Sequence, residues 1–350
     1  MVIEWGTFLS ELMSNPMLVA VTLLNIGVII VNGATDAPNA IATVVSTRCM
    51  KAGPAIAMAA ICNFLGLLVI TLVSSAVANT IFHMVDFGGD HNQALIALLA
   101  AMVAIIVWGV AAWAFGIPTS QSHSLIAGLT GAAIALQGGF GGINGAEWAK
   151  VVYGILLSTF MGFGFGWIVS KIVMRVFRRF DRAKLDHGFK WLQIIAGAGV
   201  AFMHGAQDGQ KFMGIFILAI TLATGIGQAD QMILPIWLMV FCALNMGLGT
   251  AIGGKKIIKS VGMDMVKLEK HQGFSASFAA VVCLVISTFG GLPVSTTHTK
   301  TTAIMGVGAA KNKKAVKWSI AIDMVKTWVL TFPGCGLLGF VFAQLFFLVL

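Results

Sequence analysis

The sequence predicts an all-α polytopic membrane protein with broken helices and two opposed helical hairpins. Three observations predict it. Of 350 residues, 58% are hydrophobic and only 10% charged, whereas soluble domains carry about 25% charged residues, so lipid must cover much of the surface. Apolar runs recur along the whole chain, and roughly 20 apolar residues suffice to cross a ~30 Å hydrocarbon core. Four of the longer runs carry polar residues at their middles, where an uninterrupted spanning helix has no use for them.

The first run, 17–48, follows a segment with Glu4 and Glu11 and no Lys or Arg before Arg48. Without the basic stretch that opens a cleaved signal peptide, it is expected to remain as the first span, broken at Asn32–Asn39. The run 54–82 follows. The third run, 94–137, is too long for one crossing and breaks at Pro118–His123. The fourth, 148–170, contains Gly162-Phe163-Gly164-Phe165-Gly166. With no strand before it, this stretch reads as close helix packing rather than a nucleotide cradle. Residues 171–190 form a basic linker between a first half, 1–170, and a second, 191–350. In the second half 191–226 breaks at His204–Lys211, 232–252 is unbroken, 274–310 breaks at Pro293–Lys300, and 318–350 closes the chain. Asp323 and Lys326, three residues apart, are expected to pair on one helix face.

The four breaks form two pairs. Gly33-Ala34-Thr35-Asp36 is echoed by Gly205-Ala206-Gln207-Asp208. Gly116-Ile117-Pro118-Thr119-Ser120-Gln121-Ser122-His123 is echoed by Gly291-Leu292-Pro293-Val294-Ser295-Thr296-Thr297-His298. Asp36 and His123 are 87 residues apart, Asp208 and His298 are 90 apart. Two unlike motifs recurring in the same order at nearly the same separation indicate an internal duplication.

Loop charge sets the relative orientation of the halves. The net charge is +9, and the basic residues gather in Lys171–Lys190, Lys255–Lys270 and Lys311–Lys317. Segments 83–93 and 138–147 hold neither Lys nor Arg. By the positive-inside rule the basic blocks are cytoplasmic and the other two segments external, with the N-terminus outside. Hairpins 94–137 and 274–310 then enter from opposite faces, an inverted repeat of the kind that places substrate sites at broken helices near the midplane. Basic loops beside anionic lipid headgroups account for the positive charge, so no nucleic-acid partner is expected. The five cysteines show no CxxC or Cys/His spacing and support neither a disulfide framework nor a structural metal site.

The chemistry lies at the breaks. Pro118 and Pro293 favour ending one helix or opening the next, and Thr119, Ser120, Gln121 and Ser122 follow one while Ser295, Thr296 and Thr297 follow the other. Hydroxyls and free N–H groups at a helix N-terminus suit an anion, and the helix dipole adds about +0.5 elementary charge there. Asp36 and Asp208 lie inside apolar runs, where a charge costs roughly 2.5–3.5 kcal/mol on insertion scales and is functional by default. They are expected to ligate a cation or accept a proton, with the amide oxygens of Asn39 and Gln207 as further ligands. The alternative for each Asp is a helix cap facing a polar neighbour. His204, His123 and His298 either bond an anion, relay a proton or pack against backbone carbonyls. Lys211 either attracts an anion or snorkels, as does Lys300. Nothing in the chain suggests hydrolysis, and no enzyme activity is expected.

These motifs resemble the inorganic phosphate transporter (PiT, or Pit) family. Its Gly-Ala-Asn-Asp-Val-Ala-Asn-Ala signature is similar to Gly33-Ala34-Thr35-Asp36-Ala37-Pro38-Asn39-Ala40. Its His-Gly-x-Asn-Asp-x-Gln-Lys form is similar to His204-Gly205-Ala206-Gln207-Asp208-Gly209-Gln210-Lys211, and its second tip matches residues 291–298 throughout. The resemblance implies a homodimeric secondary transporter of the cell membrane that moves phosphate with Na⁺ or H⁺ and needs no other cofactor. It implies phosphate on Thr119, Ser120, Gln121, Ser122, Ser295, Thr296, Thr297 and the two Asp, with Asn39 as a cation ligand. Thr35 and Gln207 stand where the family has Asn, and Ser277 stands where many relatives place Glu early in the last hairpin. The short linker resembles bacterial members, some of which move sulfate. A sulfate permease on the same scaffold and a passive anion channel are the competing expectations.

Overall fold

The computed structural model describes residues 4–88, 90–115, 119–225, 234–252, 266–312, 314 and 316–350. Pro118 and most of the basic block at 255–270 fall outside them. So do the side chains of Arg182, Lys184 and Asp323, and with Asp323 the expected pair with Lys326. The described residues form helices joined by short turns, with an isolated bridge between Val85 and Ile143. Six helical segments are long and apolar enough to cross a membrane, from Pro16–Ser46 to Val325–Val349.

The chain opens with α1 (Trp5–Ser14) and α2 (Pro16–Thr35). Asn15 caps α2, its side chain accepting from the amides of Met17 and Leu18 at 3.0 and 3.2 Å. Pro16 follows at the first helical position, where its fixed φ and missing N–H cost nothing. The expected break then occurs at Asp36, between α2 and α3 (Ala37–Ser46). Pro38 supplies the reason, since it has no N–H for the helical ladder. The counterpart at His204–Lys211 is not a break: α9 (Arg182–Thr224) runs through it for 43 residues. Gln210 stands where the first copy has Pro38. It keeps its backbone donor, and its side chain donates to the Ser74 carbonyl at 2.7 Å and accepts from the Val77 amide at 3.2 Å.

Between these lie α4 (Ala52–Val73), α5 (Ala76–Phe82), α6 (His91–Phe115), α7 (Gln121–Gln137) and α8 (Gly145–Val176). After α9 come α10 (Ile236–Ile252), α11 (Lys270–Phe289), α12 (Thr296–Lys311) and α13 (Trp318–Val349). The stretch read as a linker is mostly helical, with α8 and α9 extending into it and a turn at 177–181.

Helices α6–α7 and α11–α12 are the two hairpins, and they approach from opposite ends of α9. At one end Gly225, just past α9, lies against His91 at the start of α6, and Gln137 at the end of α7 donates to the Asp86 carbonyl at 2.7 Å. At the other end Lys270, opening α11, pairs with Asp186 in α9, and Lys311, closing α12, bonds Glu269 at 2.7 Å. The Lys-free segments also meet, Asp86 donating its amide to the Gly142 carbonyl at 2.8 Å. The described parts of the two classes of loop separated by charge in the sequence therefore sit at opposite ends of the bundle.

Close backbone approach holds the helices in register. A Cβ on Gly205 would collide with the backbone of Asn63 in α4, and one on Gly166 with the backbone of Ala303 in α12. In the glycine-rich stretch of α8, Gly162 and Gly166 face α12 while Gly164 faces open space, which is the packing role small residues serve in membranes. Large apolar side chains such as Phe160, Leu72 and Leu348 are exposed, while Asn32, Asp208, Lys211, His298 and Lys300 are buried. An apolar core is present as well, but these polar and charged side chains lie within the helix bundle rather than on its surface.

Candidate binding site at the hairpin tips

Both hairpins end on a capped helix aimed at the middle of α9. Ser120 is the N-cap of α7, its Oγ accepting from the His123 amide at 3.4 Å. Ser295 caps α12 in the same way, accepting from the His298 amide at 3.2 Å. The second tip turns through Gly291, whose φ of 64° is one that side-chain-bearing residues rarely adopt. Gln207 holds this tip from α9, donating to the Leu292 carbonyl at 3.1 Å and to Thr288 Oγ1 at 3.3 Å.

The tips meet on Asp208. Ser122 of the first tip donates to Oδ1 at 3.4 Å, and Thr296 of the second donates to Oδ2 at 3.4 Å. Lys211, one turn further along α9, donates to Oδ1 at 2.7 Å, to Ser122 Oγ at 2.6 Å and to the Val294 carbonyl at 2.6 Å. It does not snorkel; it is fully buried. Asn32 joins the two acids, its Nδ2 donating to Asp208 Oδ2 at 3.3 Å and to Asp36 Oδ2 at 3.4 Å. The Gln121 backbone amide, in the first turn of α7, also lies against Asp36. His204 presents Nε2 to Asp208 Oδ2 at 3.3 Å, while its Nδ1 lies 3.0 Å from Asn63 Oδ1.

Of the other residues the sequence points to, Asn39 reaches across to the second tip and donates to Thr297 Oγ1 at 2.9 Å. Thr119 is buried beside the first tip. The Gln121 side chain turns away toward Gly109 of α6. His123 and His298 pack edge to face, with ring centroids 4.4 Å apart. Phe332 backs the first ring at 4.7 Å and Trp328 stacks on the second at 3.4 Å. Neither bonds Asp208. Asn32, Asn63 and the Val294 carbonyl belong to the site but were not singled out from sequence. Asn32 and Asn63 gave a signal as lone amides in apolar runs, whereas a backbone carbonyl gives none.

The cluster presents two kinds of group in one dry place. Hydroxyls, an ammonium and two helix N-termini favour an oxyanion. Two carboxylates and the unpartnered buried oxygens Asn32 Oδ1 and Asn39 Oδ1 suit a hard cation, which prefers oxygen ligands.

Opposed hairpins meeting over paired buried acids define a membrane transport protein rather than an enzyme. The Phosphate transporter family model matches residues 32–188 and 177–339, and the chain belongs to that family. It is 39% identical over 309 residues to a Bacillus subtilis (strain 168) protein named "Probable low-affinity inorganic phosphate transporter", covering 88% of this chain and 91% of that one. A Rhizobium meliloti (strain 1021) protein of the same name is 36% identical over 324 residues, covering 93% and 95%. Among solved structures, one titled "The sodium-dependent phosphate transporter" superposes with a TM-score of 0.85 at 20% identity, covering 96% of this chain and all of that one, which shows a shared fold.

Proposed function

We propose that the chain carries inorganic phosphate across the cell membrane by symport with Na⁺ or H⁺. The reading rests on one observation: Asp208 occupies the donors that an anion between the tips would need. Ser122, Thr296, Asn32 and Lys211 all point at its carboxylate. A phosphate arriving alone would compete with that carboxylate and meet its repulsion. A cation taken up at Asp36 and Asp208 neutralises the acids and releases the hydroxyls and Lys211 to the anion. The two ligands then bind better together than either does alone, the reciprocal coupling that symport requires.

Both cations find chemistry here. Asn32 Oδ1, Asn39 Oδ1 and the Asp36 carboxylate offer oxygen ligands to Na⁺. The His204 Nε2–Asp208 contact offers a proton a place between two bases. Transport would alternate by rocking the hairpins against the rest of the bundle, with the exposed apolar faces of α4, α8 and α13 shared between lipid and a second copy of the chain.

The test is uptake of labelled phosphate into proteoliposomes under an imposed Na⁺ or pH gradient. Accumulation above equilibrium, driven by one gradient and abolished by collapsing it, is the expected result. Equilibration without accumulation would indicate a channel, and stronger inhibition by sulfate than by unlabelled phosphate would reassign the substrate.

A further inference from the structure

A second polar cluster lies one to two helical turns from the tips, toward the basic end. Lys300 in α12 is buried, and its Nζ donates to Ser277 Oγ of α11 at 2.7 Å. Ser277 lies 3.1 Å from Thr43 Oγ1 of α3, which in turn accepts from Gln193 Nε2 of α9 at 2.9 Å. All four side chains are buried. Lys211 has Asp208 beside it, but among the described residues Lys300 has no carboxylate partner. A buried ammonium is normally paired.

The donor count shows what is missing. An ammonium has three N–H groups, and Ser277 takes one. Whichever way the Thr43–Ser277 bond runs, one hydroxyl hydrogen of that pair is left over. Gln193 Oε1 is buried without a partner and can accept from a protonated oxygen. Positive charge, spare donors and one spare acceptor suit a partly protonated oxyanion and repel a cation.

The cluster also lies on a continuous line. Along α3 and its two capping residues, Asp36, Asn39, Thr43 and Thr47 succeed one another at intervals of three or four residues, the spacing of one helix face. Asn39 meets Thr297, one turn before Lys300 on α12. Gly273 of α11 leaves room for Thr47 and Gln193, which a Cβ there would crowd. Thr47 in turn lines a cavity of about 970 Å³ at the basic end, where Arg48 and Arg178 stand beside Lys270 and Lys311, the latter two paired with Asp186 and Glu269.

We propose that Lys300, Ser277, Thr43 and Gln193 form a second oxyanion station, through which the anion passes between the hairpin tips and the basic cavity. The proposal rests on phosphate being the cargo. It gives Lys300 the counter-ion that the described residues do not supply, present only while the anion is in transit.

The test uses the full chain in proteoliposomes, with orientation read from trypsin cleavage at the exposed Arg178 and Arg179. The phosphate KM is measured separately from each face. Lys300→Met removes the charge, and Ser277→Asp places a carboxylate against it while sparing the lysine. Each variant is expected to raise the KM about tenfold from the basic face, the value of one lost charge-assisted hydrogen bond, and to leave the KM from the other face unchanged. Ser277→Asp should do so without lowering the melting temperature, because it pairs a buried ammonium. If Lys300→Met fails to fold, Ser277→Asp decides alone. Wild-type KM values from both faces, or equal losses at both, would overturn the station while leaving phosphate transport intact. Failure of the unmodified protein to take up phosphate would overturn the cargo assignment, and the station with it.

Discussion

Asp208 and Asp36 occupy equivalent places in the sequence motif, yet their surroundings make them unequal targets. Asp208 is the counter-ion of buried Lys211. Asp208→Asn strands that ammonium, and breaking a buried pair costs about 3–5 kcal/mol. The variant should lose both uptake and stability, the latter visible as a lower melting temperature in detergent. The double variant Asp208→Asn with Lys211→Met should recover the stability but not the transport. Asp36 accepts from Asn32 Nδ2 but forms no ion pair among the described residues. Asp36→Asn should therefore abolish gradient-driven uptake at near-native stability, and wild-type accumulation in that variant would remove Asp36 from the coupling site. The hydroxyls divide similarly. Ser295 caps α12, so Ser295→Ala should cost about 1 kcal/mol of stability. Thr296→Val loses a donor aimed into the centre and should raise the phosphate KM about tenfold, as expected for a hydrogen bond to a charged group. Equal KM effects from the two would mean that the cap and the donor do the same job. The acids and hydroxyls were legible because charge and Pro-Ser/Thr turns are conspicuous in apolar runs. Asn32 is harder to read, because its counterpart in the second copy is His204 and the repeat does not mark it as an amide position, and the Val294 carbonyl has no side-chain signal at all.

Among the helices, the hairpins and the break at Asp36 follow from residues with plain backbone consequences, namely Pro38, the N-capping serines and Gly291. The interruption expected at His204–Lys211 does not occur because repetition of the polar motif is not repetition of its proline. The unbroken α9 instead serves as the rail on which both tips close. It needs close contact with α4, and Gly205 supplies it by lying against the Asn63 backbone. Gly205→Val would force the two helices apart. Overpacking typically costs 1–3 kcal/mol, and here it should also pull Asn63 from His204, with which it shares a 3.0 Å contact. The expected outcome is a lower melting temperature together with reduced uptake. A stable, active Gly205→Val protein would show that α4 and α9 do not need this approach for transport.

For the whole molecule, the distribution of charge makes a topological statement that can be checked without measuring transport. Of the 22 Lys and Arg, Lys150 alone lies in sequence beside the segments 83–93 and 138–147, and it is paired with Glu147 at 2.8 Å. Lys211 and Lys300 are interior. Among the described residues, Arg48 and Arg178 line the cavity at the end where Lys270 meets Asp186 and Lys311 meets Glu269. A basic residue near an anionic leaflet contributes about 1 kcal/mol, so turning the molecule over would forfeit many such terms at once. The basic end should therefore face the cytoplasm, and the phosphate station at Lys300 should lie on the inner half of the path. Four of the five natural cysteines are buried and Cys62 is partly so, which keeps background labelling low. Asn92→Cys and Arg179→Cys both place a thiol at an exposed position, one at each end. A membrane-impermeant maleimide should label Asn92→Cys in intact cells and Arg179→Cys only after the cells are opened. The reverse pattern would put the basic end outside. It would also invert the direction in which the Lys300 station is met, because anions entering the cell would then reach that ammonium before Asp208.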